Sequence, residues 1–531
     1  MRALSGGPGA LIVMAAEAET DVLIIGAGPT GLVLALWLTH LGVRVRIIDK
    51  AGEPGTTSRA LAVQARTLEL YDQLGLGDAV SKRSRAALAV NLWVTGKQRA
   101  HVAFGTMGRG ISPYPYPLIF PQDEHEQFLI EQLLRVGVKV ERSTELLGFE
   151  TAGRVAARIK TSEGREETCW SAYIAGCDGA HSRVREQLKV GFGGGTYEHI
   201  FYVADVEATG PLTNGQLHVG LDRSDFVALF PLKEEGRVRL VGTVSDQALT
   251  QRSRLAWEDV NTQVLQWMPI RVSSVNWFST YHVHHRVADH FRDGRAFLLG
   301  DAAHVHSPVG GQGMNTGIGD AINLAWKLAW VLQGRADEWL LGSYEAERIA
   351  FARRLVETTD QAFTAVTSSK PFARLLRLEV VPAVLPWIFS FKPMARLLYR
   401  TVSQTNVNYR GSPLSEGRAG PVHGGDRLPW VKLGEESNFA PLTAIDWQVH
   451  VYGEAADELE QTCSDRALPL HIFRWQTGME QAGLRRNAVY LVRPDGYIGF
   501  VESRSTVGSV ASYLEARRIF SRAATVAAPA G

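Results

Sequence analysis

At 531 residues the chain is too long for one hydrophobic core, so roughly two or three domains are expected. Hydrophobic residues at 45% and charged residues at 21% describe an ordinary globular protein. Its 56 Lys and Arg stand against 55 Asp and Glu, a formal charge of +1, which excludes electrostatic attraction to nucleic acid or anionic lipid as an organising feature.

The run Leu11 to Ala16 is too short and too poorly flanked for a signal peptide, and Met14 offers an alternative start. Thr20 to Ile25 is a β-branched run of the kind that forms a fully buried parallel strand. It feeds the turn Gly26-Ala27-Gly28-Pro29-Thr30-Gly31. Apolar residues from Thr30 to Leu41 predict a buried helix, with Pro29 suited to its first turn and Gly42 to its stop. Val43 to Asp49 then alternates as a second strand ending in a carboxylate, which completes a βαβ unit. Glycines let a backbone approach a pyrophosphate, the helix N-terminus offers N–H groups, and Asp49 can accept from ribose hydroxyls. Gly26, Gly28, Pro29, Thr30, Gly31, Asp49 and the adjacent Lys50 are therefore candidate cofactor residues. The unit alone does not separate FAD from NAD.

Further along, Ser58-Arg59-Ala60 precedes Gln64 to Glu69, and Pro121-Gln122 opens a helical stretch through Phe128 and Leu133. Trp170 to Gly176 reads as a strand running into Cys177-Asp178-Gly179-Ala180-His181-Ser182-Arg183. From about Gly191 to His290 apolar and polar residues alternate, with strands predicted at Gln216 to Leu221, Phe226 to Leu232, Val238 to Val244 and Val275 to Val283. Ala296 to Asp301 is another buried strand ending in a carboxylate, followed by Ala302-Ala303-His304. The loop Pro308 to Gly313 has minimal side-chain bulk. A helix is predicted to begin near Met314 or Asn315, with Ile318, Ala321, Ile322, Ala325 and Leu328 at helical spacing.

Beyond residue 350 the chain reads as mostly helical. The apolar stretch Val380 to Phe389 carries two prolines and is too short to span a bilayer, so it is expected to be packing surface. A glycine-rich linker, Gly417 to Gly425, precedes strands at Trp447 to Tyr452, Leu468 to Trp475, Ala488 to Val492 and Tyr497 to Val501, with Asp495-Gly496 as a hairpin turn and a helix from Ser509. Cys169, Cys177 and Cys463 are odd in number and lack metal or redox spacing, which predicts a reducing, cytoplasmic setting.

The glycine turn, the Cys177-Asp178-Gly179 segment and the Gly300-Asp301 to Asn315 segment, in this order, resemble those of the FAD-dependent aromatic hydroxylases of the para-hydroxybenzoate hydroxylase fold. The branch resembled has a thioredoxin-like C-terminal domain, and the likeness runs from Asp21 to the C-terminus. It implies an α/β protein with a discontinuous Rossmann-like FAD-binding domain (20–190 and 291–350). An inserted substrate-binding β-sheet domain (191–290, with part of 85–120), a helical connector (351–416) and a thioredoxin-like domain without a Cys-x-x-Cys (420–525) complete it. The resemblance puts Arg59 and Asp178 at the pyrophosphate, Gln122 and Asp301 on the ribityl chain, and Pro308, Gly311, Gly313, Met314 and Asn315 at the isoalloxazine. A helix N-terminus at the pyrimidine edge would favour the anionic reduced ring. Arg66 reads more simply as a solvated helix face or a surface ion pair.

FAD is expected without covalent attachment. With no second glycine fingerprint, NADH or NADPH enters as a transient co-substrate; a disulfide-reductase type is disfavoured, as is a halogenase, since no Trp-x-Trp-x-Ile-Pro occurs. The activity implied is O2-dependent hydroxylation of a phenolic or polycyclic aromatic substrate through a flavin C4a-hydroperoxide. Baeyer–Villiger oxygenation and a non-catalytic aromatic-binding flavoprotein are the alternatives. His218, Tyr281 and His282 are candidates for binding or deprotonating a phenol, with a sheet or core role the plainer reading of each. No metal is expected: of His282, His284 and His285 only the first two share a strand face, and no carboxylate stands at ligand spacing. The remaining expectations are a monomer or homodimer with no transmembrane segment.

Overall fold

The computed structural model describes residues 19–55, 60–222, 226–244, 255–260, 263–307, 310–367, 376–380, 383–384, 389, 391–504 and 508–520. Its first sheet has seven strands. Thr20–Ile25 lies next to the end strand Val45–Ile48, parallel to it on one side and to Glu166–Gly176 on the other, and Ala296–Leu298 extends the parallel set. Val22, Leu23 and Ile24 are wholly buried, as a strand covered on both faces requires. The helix Pro29–His40 has no polar face. Leu32 through Leu38 are all buried between the sheet and the helix Gly313–Leu332, and Gly42, at φ +78°, ends it.

The second sheet runs in the order His304–Val305, Arg271–Ala288, Phe192–Thr209, Arg237–Thr243, Phe226–Pro231, Leu217–Leu221, Ala89–Val94, Lys97–Ala103. The four predicted strands are present. The longest pairing, between Phe192–Thr209 and Arg271–Ala288, includes a strand that sequence periodicity did not reveal. One face of this sheet, with Tyr202, Ala204, Leu229 and Leu240, packs beneath Val264, Leu265 and Met268. The other carries Phe201, Val283, Tyr197, Phe226 and Tyr281. At its end Val90 and Val102 meet Ala65 and Tyr399, so this second face is the one turned toward the first sheet's half of the molecule.

The C-terminal sheet has six strands. Gln448–Tyr452 and Leu470–Phe473 are parallel, joined through the helix Asp457–Asp465, and Val489–Val492 and Ile498–Glu502 form the predicted hairpin at Asp495-Gly496. Among the described residues no helix is long and apolar enough to cross a membrane. Of the stretch 380–389, Val380 and Val384 are exposed and Phe389 packs near Met107 and Tyr399.

This sheet is fastened to the rest of the protein by buried charge. Glu347 accepts from Arg493 Nη1 at 2.7 Å and from Lys327 Nζ at 2.8 Å, and all three side chains are 0% exposed. Arg66 belongs to the same junction, which corrects the expectation of a solvated or surface arginine. It is 4% exposed, donating to Glu69 Oε2 at 3.0 Å and to the Asp495 carbonyl at 2.6 Å. Arg66→Ala is therefore expected to cost about 1.5–3 kcal/mol of stability through lost charge-assisted bonds. Denaturant titration checks this; an unchanged midpoint would contradict it.

Three buried carboxylates, Glu69, Asp320 and Glu347, are held below the ordinary carboxylate range. Burial pushes each upward, but Arg427 and Arg66, Arg348 and His304, and Arg493 and Lys327 respectively outweigh it. Since the folded values lie below the unfolded ones, the stabilisation is complete above about pH 4.5 and is lost as pH falls toward the folded values. The carboxylates should make the melting temperature drop steeply below about pH 4, on top of a decline that begins near pH 6.5, where the unfolded chain starts to bind protons that buried His218 and His306, both held down to about 4, do not. A calorimetric series in which it stays constant to pH 3 would refute the assignment.

Candidate active site

Four parallel strands of the first sheet end at the same edge, and each hands over to a segment singled out in the sequence: Gly26, Asp49, Cys177-Asp178 and Gly300-Asp301. In open α/β sheets ligands bind outside the carboxyl ends of the strands. The segments are in contact there. Gly26 has φ +101° and packs so closely on the Cys177 and Asp178 backbone that a Cβ would overlap Cys177 O. Gly31 lies with equal closeness against Gly26 O. A Cβ on Gly28 would meet nothing within 4 Å. The turn is thus packed behind two of its glycines and open at the third, a cradle that fits a pyrophosphate.

The helix Pro29–His40 begins with no side-chain cap, its N–H groups at Thr30 and Gly31 preceding the first intrahelical bond, Leu32 N–H to Gly28 O at 3.0 Å. Asp49 is aimed at the turn, accepting the Ala27 N–H at 2.7 Å and the Ala51 N–H at 2.8 Å. Lys50 is exposed beside it. The Thr30 side chain is turned inward: a Cβ on Gly300 would lie 2.6 Å from its Oγ1.

Asp178 Oδ2 accepts the N–H groups of Arg183 at 2.7 Å and Val184 at 3.2 Å, which caps the helix Arg183–Leu188. Its Oδ1 is buried and has no partner among the described residues, and burial raises its pKa. Arg185 ties this turn to the next, donating to the Ala180 carbonyl at 2.7 Å and the Ala302 carbonyl at 2.9 Å. Asp301 is exposed between buried Gly300 and Ala302.

The anchor of the Asp301 turn is a residue sequence reasoning missed. Asp320, fully buried, accepts the Gly300 N–H at 3.0 Å and His304 Nε2–H at 2.7 Å on one oxygen, and Arg348 Nε–H at 2.5 Å on the other. Arg348 continues to the Tyr409 hydroxyl and the Thr316 carbonyl. An acidic side chain beside Ile318, Ala321 and Ile322 on a buried helix was the available signal.

Asn315 is buried, and its side chain is saturated by protein. Oδ1 accepts from Gln64 N–H and Thr67 Oγ1–H; Nδ2 donates to the Ala62 and Gly311 carbonyls. It clamps the glycine loop, leaving only its backbone to a cofactor. The N–H groups of Gly313, Met314 and Asn315 precede the first bond of this helix, Thr316 N–H to Gln312 O. Gln122 engages Ala60 N–H at 3.3 Å and Glu126 at 2.8 Å. Arg59 and Pro308 lie outside the described residues.

The three substrate-side candidates are not brought together. His218 and His282 lie on the face of the second sheet that packs against Met268 and its neighbours, whereas Tyr281 lies on the opposite face, paired with Phe201. Both His218 nitrogens are engaged, Nδ1 by Trp93 Nε1–H at 3.2 Å and Nε2 by Asn214 at 3.0 Å, and burial pushes the ring down to about 4. His282 is exposed. The face with Tyr281 also holds a buried Asp205–Arg239 pair at 2.5 and 2.7 Å, with Trp277 alongside.

Residues 19–359 match the family model of an FAD binding domain. The chain is 40% identical to a 6-methylpretetramide 4-monooxygenase of Streptomyces rimosus over 422 residues, 76% of this chain and 73% of the relative. It superposes on an anhydrotetracycline hydroxylase from Streptomyces rimosus with a TM-score of 0.75 at 27% identity, covering 94% of this chain and 99% of the other. A rebeccamycin biosynthetic enzyme solved with reduced flavin gives a TM-score of 0.75 at 26% identity, covering 95% and 100%.

Proposed function

The chain belongs to the FAD-binding family of aromatic monooxygenases, and from that premise we propose that it hydroxylates a polycyclic phenolic compound at the junction of its first two sheets. The observation that carries the reading is the open cradle at Gly28, with Asp49, Asp178 and Asp301 at the neighbouring strand ends; the aromatic sheet face with Phe201, Phe226 and Tyr281 is the one turned toward this half of the molecule. Relatives named for 6-methylpretetramide, anhydrotetracycline and pentachlorophenol support an aromatic substrate.

FAD, when bound, accepts a hydride from NAD(P)H and delivers one atom of O2 to the substrate. The chain's own residues do the rest. Gly28 and the N–H groups at Thr30 and Gly31 would hold the pyrophosphate, with the Asp178 turn packed against Gly26 beside it. Asp49 and Asp301 would accept from the ribose and ribityl hydroxyls. The backbone N–H groups of Gly313, Met314 and Asn315 would serve the ring, and Asp320 fixes the Asp301 turn through Gly300. The aromatic face orients the substrate's rings and keeps water away from the reacting atoms. Tyr281, the one substrate-side candidate on that face, is the position for a contact to a phenolic hydroxyl.

The finer architecture follows the same reading. The second sheet is the substrate-binding insertion, 191–290 with part of 85–120. The C-terminal unit is thioredoxin-like, supported by its parallel pair joined through a helix, then a hairpin and a helix. Its buried Cys463 has no partner cysteine among the described residues, which assigns the unit a structural or subunit-pairing role. FAD is held without a covalent bond, and the enzyme works in the cytoplasm as a monomer or homodimer.

The test is NAD(P)H consumption under air with a panel of polycyclic phenols, followed by mass spectrometry with labelled O2. Substrate-stimulated consumption and one labelled oxygen per product are expected. Stimulation with hydrogen peroxide as the sole product across the panel would defeat the hydroxylase reading.

A further inference from the structure

His306 follows the short strand His304–Val305 at the edge of the second sheet, and its ring lies against the first residue of the helix Gly313–Leu332. Its Nδ1 is 2.8 Å from the Ser307 carbonyl oxygen. A carbonyl can only accept, so Nδ1 carries the ring proton and Nε2 of the neutral ring carries a lone pair. Burial, reinforced by nearby His304, pushes the ring down to about 4, which keeps it neutral at physiological pH.

Nε2 is buried and has no partner among the described residues. It is directed at the helix end: a Cβ on Gly313 would lie 3.8 Å from it. A buried acceptor without a donor is destabilising unless a ligand supplies one. The helix end offers the N–H groups of Gly313, Met314 and Asn315, while the Gly310 and Gly311 carbonyls are already taken by Gln64 and Asn315. Among the described residues the site therefore shows backbone donors with the unpartnered acceptor His306 Nε2 beside them. The pyrimidine edge of an isoalloxazine has the complementary pattern, two carbonyl oxygens flanking one N–H.

We propose that His306 Nε2 accepts the hydrogen bond of flavin N3–H, making His306 a positioning residue for the ring. This rests on seating the pyrimidine edge at the helix Gly313–Leu332, as in the proposed function.

Apoprotein is titrated with FAD and with N3-methyl-FAD, which keeps both carbonyls and lacks the N–H. Wild type should bind FAD about tenfold more tightly than the methylated flavin, the equivalent of one buried hydrogen bond. His306→Phe, which fills the space without an acceptor, should lose that factor for FAD and bind the two flavins alike. His306→Gln, which restores a carbonyl acceptor, should recover part of the preference. Equal binding of both flavins by wild type, or undiminished discrimination by His306→Phe, overturns the assignment. Failure of wild type to bind either flavin would instead overturn the underlying seat of FAD, and the assignment with it.

Discussion

Glu347→Ala is expected to destabilise the protein by about 3–5 kcal/mol, the cost of breaking a buried ion pair from one side. The carboxylate accepts five hydrogen bonds, from Arg493 Nη1 and Nη2, Lys327, Asn323 and Ser412 at 2.6 to 3.0 Å. Its removal takes a shared counter-charge from two cations that are 0% exposed. Asp495 would still neutralise Arg493 at 2.6 Å, so the greater penalty falls on Lys327. Burial already pushes that ammonium down to about 8, and without Glu347 it would shed its proton. The control is Arg410→Ala, which removes the half-exposed Arg410–Asp426 pair and should cost no more than about 1 kcal/mol. Urea midpoints of the two variants decide the matter; equal shifts would show that the buried cluster carries no special weight. Because Arg493 and Asp495 belong to the C-terminal unit, Glu347→Ala should also speed proteolysis between that unit and the rest.

What the sequence disclosed was local. Thr20–Ile25 and the glycine turn are read within a dozen residues, because burial on both faces of a strand and a tight strand-to-helix turn each restrict composition directly. The helix at Gly313 was anticipated to within a residue or two for the same reason. Arg66 was misread since its partner carbonyl, Asp495, stands 429 positions away and nothing near Arg66 announces it. Asp320 and His304 escaped notice as a pair for the same cause. Alternation in the second sheet shows which residues share a face but not which face meets the cofactor half. That was settled by Val264, Leu265 and Met268 covering the side with His218. Phe192–Thr209 was missed because three glycines and a register shift between Thr196 and Ile200 break its alternation. Asn315 shows a further limit: its place in the motif was legible, but not that its side chain is consumed by the protein.

Gly28→Ala and Gly31→Ala should fail in opposite ways, and the contrast tests where the cofactor sits. Gly28 has φ −78° and ψ −179°, an extended conformation open to any residue, and an added Cβ meets nothing. The alanine variant should therefore fold with an unchanged apoprotein melting temperature. Its methyl group would stand where the pyrophosphate approaches, displacing it from the N–H groups of the helix end. Loss of one charge-assisted hydrogen bond at about 1.5–3 kcal/mol corresponds to an FAD dissociation constant raised about 10- to 100-fold. At Gly31 a Cβ would overlap the Gly26 carbonyl and press on Cys177 Cβ at 3.3 Å. Backbone cannot yield there without separating helix from strand, so this variant should lose about 1–3 kcal/mol or more of stability even before FAD is added. Apoprotein melting and FAD titration on both variants separate the two effects. If Gly28→Ala binds FAD as wild type does, the open side of the turn is not the pyrophosphate seat, whatever becomes of Gly31→Ala.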